Sequence, residues 1–197
     1  MRRKRILRIL AATTLCLVSA AKAGAQDVAL KTNLINDILL SPNLGVEIGL
    51  APKWTLDLTG ELNLWSVDGH SWKHAFFQPE ARYWLCQRFA GHFVGVHAIG
   101  GAYNFGNLGI DINFLGSDFR NLRHKRYQGW AAGAGLVYGY AWPVHKHWNI
   151  EAALGLGWIY TRFDSYPCRK CGKKLQKNKP HNYVGPTKAA VNVEYIF

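Results

Sequence analysis

The sequence has little of what a helical membrane protein or a nucleotide-dependent enzyme would need. Beyond residue 25 it contains no run of 18 apolar residues, which excludes a transmembrane helix from that part. It contains no phosphate-binding loop, and Gly95, Gly100 and Gly101 lie in a strand pattern that no helix pattern follows. Cysteine is scarce as well, with four in the chain. Glycine (20), tryptophan (8) and tyrosine (9) are plentiful instead, and they favour an all-β fold.

The first 25 residues have the pattern of a secretory signal peptide. Residues 9–20 are apolar but too short to span a bilayer, and Ala23-Gly24-Ala25 supplies a small-residue cleavage site, which predicts a mature start at Gln26. Cys16 lacks small residues before it, which argues against a lipoprotein anchor; an uncleaved anchor helix is the alternative. The positive n-region consists of Arg2, Arg3, Lys4, Arg5 and Arg8.

Removal of this segment changes the net charge. Six cations, the five of the n-region and Lys22, leave with the signal, which halves the formal charge of the chain from +12 to +6. This excess alone is not typical of a nucleic-acid-binding surface, and an exported protein rarely meets nucleic acid. We therefore expect no nucleic-acid partner. We also expect no cofactor.

Period-two alternation is the strongest signal in the remaining chain. Residues 54–64, 130–142 and 148–158 each place apolar side chains at every second position, with polar or small residues between them. Residues 28–35, 44–50, 76–86, 92–103 and 191–197 complete a set of eight predicted strands. Short turns at 51–53, 87–91 and 145–147 alternate with longer connections at 36–42, 67–72, 104–125 and 164–182. This layout predicts a single eight-stranded antiparallel up-and-down transmembrane β-barrel over residues 26–197.

The polar parity of the strands carries charges of both signs, as a barrel interior would. Eight strands enclose room for side chains only, so we expect these charges to pair across the interior, next to small residues of the sixth and seventh strands. In a soluble barrel the apolar face would instead form the core. The predicted interior ion network consists of Lys31, Glu47, Asp57, Glu61, Glu80, Arg82, His97, Glu151, Lys188 and Glu194. Three residues fit less well: Pro79 within a strand, where we expect a bulge, and Trp65 and Trp84 on the polar parity.

Aromatic residues cluster near both ends of the predicted strands, as in interfacial girdles. Near the short turns we place Trp54, Phe93, Trp142, Trp148, Tyr195 and Phe197, and near the long connections Phe77, Tyr103, Trp130, Trp158 and Tyr160. The last strand ends on Val193-Glu194-Tyr195-Ile196-Phe197. This ending resembles the insertion signal of bacterial barrel proteins, with Tyr195 and Phe197 as its aromatic residues, and would put the short turns in the periplasm.

The sharpest local motif is Cys168-Arg169-Lys170-Cys171-Gly172. A local disulfide between Cys168 and Cys171 suits an exported loop. The alternatives are free thiols or a zinc site with His181 as third ligand, although a structural zinc ion needs four. Cys86, the remaining cysteine, is predicted at the opposite end.

Two further patterns have weaker interpretations. Basic residues in the connections before the sixth and eighth strands would attract the phosphates of lipopolysaccharide, or would simply be solvated. His70 and Ser71, with Glu80, could suggest a Ser/His hydrolase acting on lipid A, but no nucleophile motif surrounds Ser71.

Several stretches resemble a family from Bacteroidota that is known only as a domain of unknown function. Its members are short exported proteins, taken to be outer-membrane barrels and often associated with fimbrial gene clusters. The resemblance covers nearly the whole mature chain; it implies the location but no activity, and it implies that Pro79 and the cysteine pair are family features. It rests on Lys31-Thr32-Asn33-Leu34, Pro42-Asn43-Leu44-Gly45-Val46-Glu47, Lys53-Trp54-Thr55-Leu56, Gln78-Pro79-Glu80-Ala81-Arg82-Tyr83-Trp84, Tyr166-Pro167-Cys168, Cys171-Gly172 and Tyr183-Val184-Gly185-Pro186-Thr187-Lys188-Ala189.

The sequence therefore predicts a non-enzymatic barrel of the bacterial outer membrane with a structural, adhesive or fimbria-accessory role. Its expected partners are outer-membrane lipid and lipopolysaccharide, the barrel-assembly machinery during insertion, and fimbrial or surface proteins. The alternatives are a barrel enzyme acting on lipid A or another outer-leaflet lipid, and a soluble periplasmic barrel that binds a small ligand.

Overall fold

The structure is a computed structural model that describes residues 28–64, 66, 67, 70–106, 113, 114, 117, 118, 125–167 and 172–197. The predicted signal peptide, Trp65, Cys168 and Cys171 lie outside these residues. The described part of the chain is almost entirely β-structure. It contains no helix that is long and apolar enough to cross a membrane.

In the described residues eight long strands form one antiparallel sheet, which confirms the prediction of an all-β fold with eight antiparallel strands. The described residues also contain two-residue strands at 66–67, 113–114 and 117–118 and one helix, α1 (Leu34–Ile38), after the first long strand. The long strands are β1 (Val28–Asn33), β2 (Asn43–Ala51), β3 (Trp54–Asn63), β4 (His70–Trp84), β5 (Gly91–Gly106), β6 (Arg126–His145), β7 (Trp148–Tyr166) and β8 (Gln176–Ile196).

Each long strand is hydrogen-bonded to two others. Consecutive strands pair from β1 to β8, and β1 pairs in turn with β8, for example at Lys31 and Glu194. The pairing of β1 with β8 thus closes the series of eight strands. The connections after β2, β4 and β6 form one end of the sheet, here called the short-turn end, and the remaining connections form the long-connection end.

Several strands run further than the sequence pattern predicts, and β4 begins at His70 instead of residue 76. β6 begins at Arg126, β7 continues to Tyr166 and β8 begins at Gln176, so the predicted loop over residues 164–182 shrinks to 167–175. The first strand is shorter than predicted, because α1 begins after Asn33, whose side chain accepts a hydrogen bond from the Ile35 N–H at 3.1 Å.

The predicted bulge at Pro79 is wrong. The pairing of β4 with β5 is interrupted only beside this residue and resumes in the same register, with Phe77 opposite Gly100 and Glu80 opposite His97. Proline has no N–H to donate, so the ladder loses a bond there without gaining a residue.

The buried side of the sheet is the polar one. Glu47, Glu80, Arg82, Glu151 and Glu194 are at most 1% exposed. Most leucines of the opposite parity are exposed, and Leu136 is 68% exposed in the middle of β6. The apolar core is small and consists of four alanines with Trp84, Phe89, Phe93 and Val137.

Candidate functional site

The enclosed side of the sheet contains two regions that could carry a function. The first is a charged cluster toward the short-turn end, here called the central cluster. It consists of Lys31, Glu47, Asp57, Glu80, Arg82, Glu151, Lys188 and Glu194. The second is a cavity at the long-connection end, here called the aromatic chamber and described below.

The strand register explains why the central cluster needs cations. Glu47 of β2 lies opposite Asp57 of β3, and Asp57 lies opposite Glu80 of β4. Like charges directly across from one another repel, so three neighbouring carboxylates are stable here only with positive charge between them.

Arg82 supplies the centre of that charge. Its side chain is fully buried and points from β4 into the enclosed space. The guanidinium donates to four carboxylates: Glu80 at 2.6 Å, Glu47 at 2.6 Å, Glu151 at 2.6 Å and Asp57 at 2.8 Å. Its planar array of five N–H donors can satisfy several oxygens at once, which a lysine ammonium cannot do with the same geometry.

Lys31 brings a second cation from β1. Its ammonium lies 2.5 Å from a Glu47 oxygen, 3.0 Å from Asp57, 3.5 Å from Glu194 and 3.9 Å from Glu151. Oxygens of Glu47, Glu151 and Glu194 lie within 4.8 Å of one another, a spacing that could hold a metal ion. Since the Lys31 ammonium already contacts all three carboxylates, it takes the position of such an ion.

Lys188 and His97 complete the side of the central cluster that faces the long-connection end. The Lys188 ammonium donates to Glu80 at 2.7 Å and lies 3.7 Å from Asp57. His97 shares a hydrogen bond of 2.9 Å between its Nε2 and the Thr187 hydroxyl, while its Nδ1 lies 4.0 Å from Glu80. Small residues make room for these side chains: a Cβ atom built on Gly135 would lie 2.8 Å from the His97 ring.

Aromatic residues close the space between the central cluster and the short turns. The Trp84 indole N–H donates to the Thr55 hydroxyl at 2.9 Å, and that hydroxyl donates to Glu47. Trp84 packs against Phe93 with ring centroids 4.8 Å apart, and the Arg82 guanidinium lies 4.5 Å from the Phe93 ring centre. This explains why Trp84 has the polar parity: it seals the enclosed side.

The central cluster contains five carboxylates but three permanent cations, and Glu194 is the acid with the weakest contacts. Its Oε2 has no hydrogen-bond partner among the described residues. Glu151, in contrast, accepts from Arg82 and also from Asn192 at 2.7 Å. An excess of negative charge in a dry interior is unfavourable, so neutralising Glu194 should cost little.

We expect Glu194→Gln to change the free energy of unfolding by less than about 1 kcal/mol, whereas Glu151→Gln lowers it by about 3 kcal/mol or more, because the latter removes a buried ion-pair partner. Urea unfolding in detergent micelles, followed by tryptophan fluorescence, measures both variants. Equal losses of stability in the two variants would contradict the expectation that Glu151 stabilises the fold more than Glu194 does.

The other residues singled out in the sequence lie elsewhere. Glu61 is apart from the central cluster; it accepts from the Asn36 amide at 2.6 Å and lies 3.6 Å from His74. Ser71 and Glu80 are nine positions apart on β4, which corresponds to about 30 Å, so they do not converge as a catalytic pair. His181 lines the aromatic chamber.

Two predicted girdle residues are on the wrong face. Phe93 is fully buried, and the Tyr103 hydroxyl contacts that of Thr161 across the enclosed side at 2.6 Å. Both share the parity of His97 on β5, so they point inward. The exposed aromatics at the two ends include Trp54, Trp142, Trp148 and Phe197 at one, and Phe77, Trp130 and Trp158 at the other.

The aromatic chamber has a volume of about 730 Å³ and is lined by parts of β4 to β8. Its rings include Trp72, Phe76, Tyr103, Phe105, Tyr127 and Phe163. Sequence analysis missed it, although one signal was present: Trp72 and Phe76 continue the parity of Glu80 and Arg82 toward the long-connection end.

At the rim of this end, an exposed ion pair joins β7 to the connection that follows it. Lys174 donates to Asp164 at 2.5 Å, and the Asn178 N–H donates to the same carboxylate at 2.8 Å. Both hydrogen bonds lower the pKa of the Asp164 carboxyl, and the bond from Lys174 has the larger effect. The pair therefore links the end of β7 to the last residues before β8.

Comparison with known proteins identifies a family but no characterised relative. No curated protein and no solved structure matches the chain. A family model matches residues 10–197, nearly the whole length. The chain therefore belongs to the family described as "Protein of unknown function (DUF3575)".

Proposed function

We propose that the chain is a non-enzymatic β-barrel protein of the bacterial outer membrane, exported after removal of residues 1–25. Its long connections face the outside, where they serve a structural, adhesive or fimbria-accessory role. The observation that carries this proposal is the reversed polarity of the closed sheet: charged side chains are buried on the enclosed side and apolar side chains are exposed on the outer side.

The outer side has the dimensions of a lipid-facing belt. On β7 the outward positions from Trp148 to Trp158 are all apolar, and an exposed tryptophan stands at each end. Ten residues extend about 33 Å along a strand, or about 25 Å along the axis of a barrel whose strands tilt by about 40°. An apolar band of about 25 Å between aromatic girdles is what transmembrane barrels present to lipid.

The enclosed side supports a structural role for the central cluster. Its acids and cations contact one another at hydrogen-bond distance, and aromatic rings seal it from the short-turn end. A soluble ligand-binding barrel would instead need an apolar interior and a polar exterior. The lipid A hydrolase alternative lacks support from His70, Ser71 and Glu80, since the strand separates the serine from the acid.

Cell fractionation tests the location. We expect the full-length chain to remain in the membrane pellet after alkaline carbonate extraction and to change its gel mobility on boiling, as folded barrels do. A periplasmic protein from the same cells serves as the control for lysis. Release by carbonate together with unchanged mobility on boiling would overturn the barrel proposal.

A deletion strain tests the role. We expect reduced surface fimbriae or reduced adhesion, while the mass spectrum of lipid A stays unchanged. A shifted lipid A spectrum that the intact gene restores would instead favour the enzymatic alternative.

A further inference from the structure

The aromatic chamber is built as a rigid apolar cavity. Trp72 stacks on Phe105 with ring centroids 4.6 Å apart and planes within 21° of parallel, and Phe105 stacks on Tyr103 at 5.0 Å. The Trp72 indole N–H donates to the Ser41 hydroxyl at 3.1 Å, which fixes the ring from outside the stack. Rings held in this way present a preformed surface, so a ligand would lose little free energy to ordering the protein.

The hydroxyl groups of Tyr103 and Thr161 in the lining are already engaged with the protein. The Tyr103 hydroxyl contacts that of Thr161 at 2.6 Å, and the Thr161 hydroxyl donates to the Trp130 carbonyl at 2.8 Å. A sugar or another polar molecule needs hydrogen-bond partners along its whole outline, and these groups do not offer them. The lining therefore favours a molecule with an apolar body.

The charge of the lining is one-sided. Among the described residues that line the chamber, Lys179 carries the only permanent charge, and it lies close to His181 on β8. The described lining contains no carboxylate. Glu61 of β3, opposite Phe76, accepts from the Asn36 amide at 2.6 Å and lies 3.6 Å from His74, and Glu80 is paired with Arg82 and Lys188. This arrangement complements one negative charge on a ligand and disfavours a positive one.

We propose that the aromatic chamber binds a small amphipathic anion: an aromatic or otherwise apolar molecule that carries a single carboxylate or equivalent group. The apolar body lies against the rings of β4 to β7, and the anionic group lies at Lys179. A volume of about 730 Å³ is within the usual range of small-molecule sites. Binding does not depend on the proposed location, but in the outer membrane the chamber would open toward the outside.

Three probes of the same size and different charge test this proposal on the purified full-length protein. We expect 2-naphthoate to bind saturably by titration calorimetry, at least tenfold more tightly than 2-naphthylmethylammonium, with neutral 2-naphthylmethanol between them. No saturable binding of any probe, as would occur if another segment of the chain filled the chamber, or a preference for the amine, would overturn the proposal.

Two pairs of variants separate specific binding from uptake into detergent. Ala131 lines the chamber and Ala132 is exposed on the outer face of the same strand. We expect Ala131→Phe to abolish the binding of 2-naphthoate and Ala132→Phe to leave it unchanged; equal binding by both variants would contradict a site in the chamber.

Lys179 is exposed, so its variants should fold even if Ala131→Phe does not. Lys179→Gln should weaken 2-naphthoate about tenfold without changing 2-naphthylmethanol, and Lys179→Glu should reverse the preference toward the amine. An unchanged order of the three probes in Lys179→Glu would overturn the role of this residue.

Discussion

Replacing Arg82 by methionine is expected to destabilise the protein more than any other single substitution in the central cluster. The guanidinium is fully buried and donates to Glu47, Glu80, Glu151 and Asp57. Methionine fills a similar volume but leaves these carboxylates with Lys31 and Lys188 alone. Removing one partner of a buried ion pair costs about 3–5 kcal/mol, and here four partners are affected.

The measurement is the free energy of unfolding in urea, with the protein in detergent micelles or lipid vesicles. Arg82→Lys should recover only part of the loss, since an ammonium has three N–H donors where the guanidinium has five and cannot donate to all four carboxylates. Lys146→Met, at the exposed turn after β6, removes the same charge from the surface and should change stability by less than about 0.5 kcal/mol. Equal effects of Arg82→Met and Lys146→Met would show that the buried network does not stabilise the fold.

The sequence predicted the sheet best where the strands have one clearly apolar face. β7 alternates from Trp148 to Trp158, and its existence and parity follow directly from that pattern. The first half of β8 has no such face: residues 176–182 are mostly lysine, asparagine and proline, which looks like a loop. These residues are a strand because they pair with the end of β7, as Thr161 does with His181. Pairing of this kind leaves no periodic signal in one chain.

For the interior, too, the sequence predicted some features and not others. Parity alone put Lys31, Arg82 and the acids on one face, but it could not say which of them meet. Lys31 reaches Glu194 because β1 pairs with β8, across 163 residues of chain. The girdle prediction for Phe93 and Tyr103 is wrong because it follows from their height near the ends of β5, whereas both have the inward parity of His97. The face that a side chain occupies follows from the alternation in the sequence. The side chains that it contacts depend on how the strands pair around the closed sheet.

Replacing Leu136 by arginine should prevent stable insertion if the outer face meets lipid. Leu136 is 68% exposed on the outer side of β6, midway between the exposed Trp130 and Trp142 and so near the middle of the apolar belt. An arginine at the midplane of a transmembrane barrel costs about 2–4 kcal/mol, and the cost falls to about 0–1 kcal/mol near the interface.

Val144→Arg provides a matched control, because Val144 lies on the same face of the same strand, is 62% exposed and stands beyond Trp142 at the short-turn end. The free energy of unfolding from lipid vesicles should therefore fall by about 2–4 kcal/mol for Leu136→Arg and by less than about 1 kcal/mol for Val144→Arg. In a water-soluble protein both positions would be ordinary surface sites, and arginine at either would change stability by less than about 0.5 kcal/mol. Depth dependence is thus the property that only a membrane imposes. Two small and equal effects would contradict the membrane location while leaving the closed sheet and its central cluster as they are.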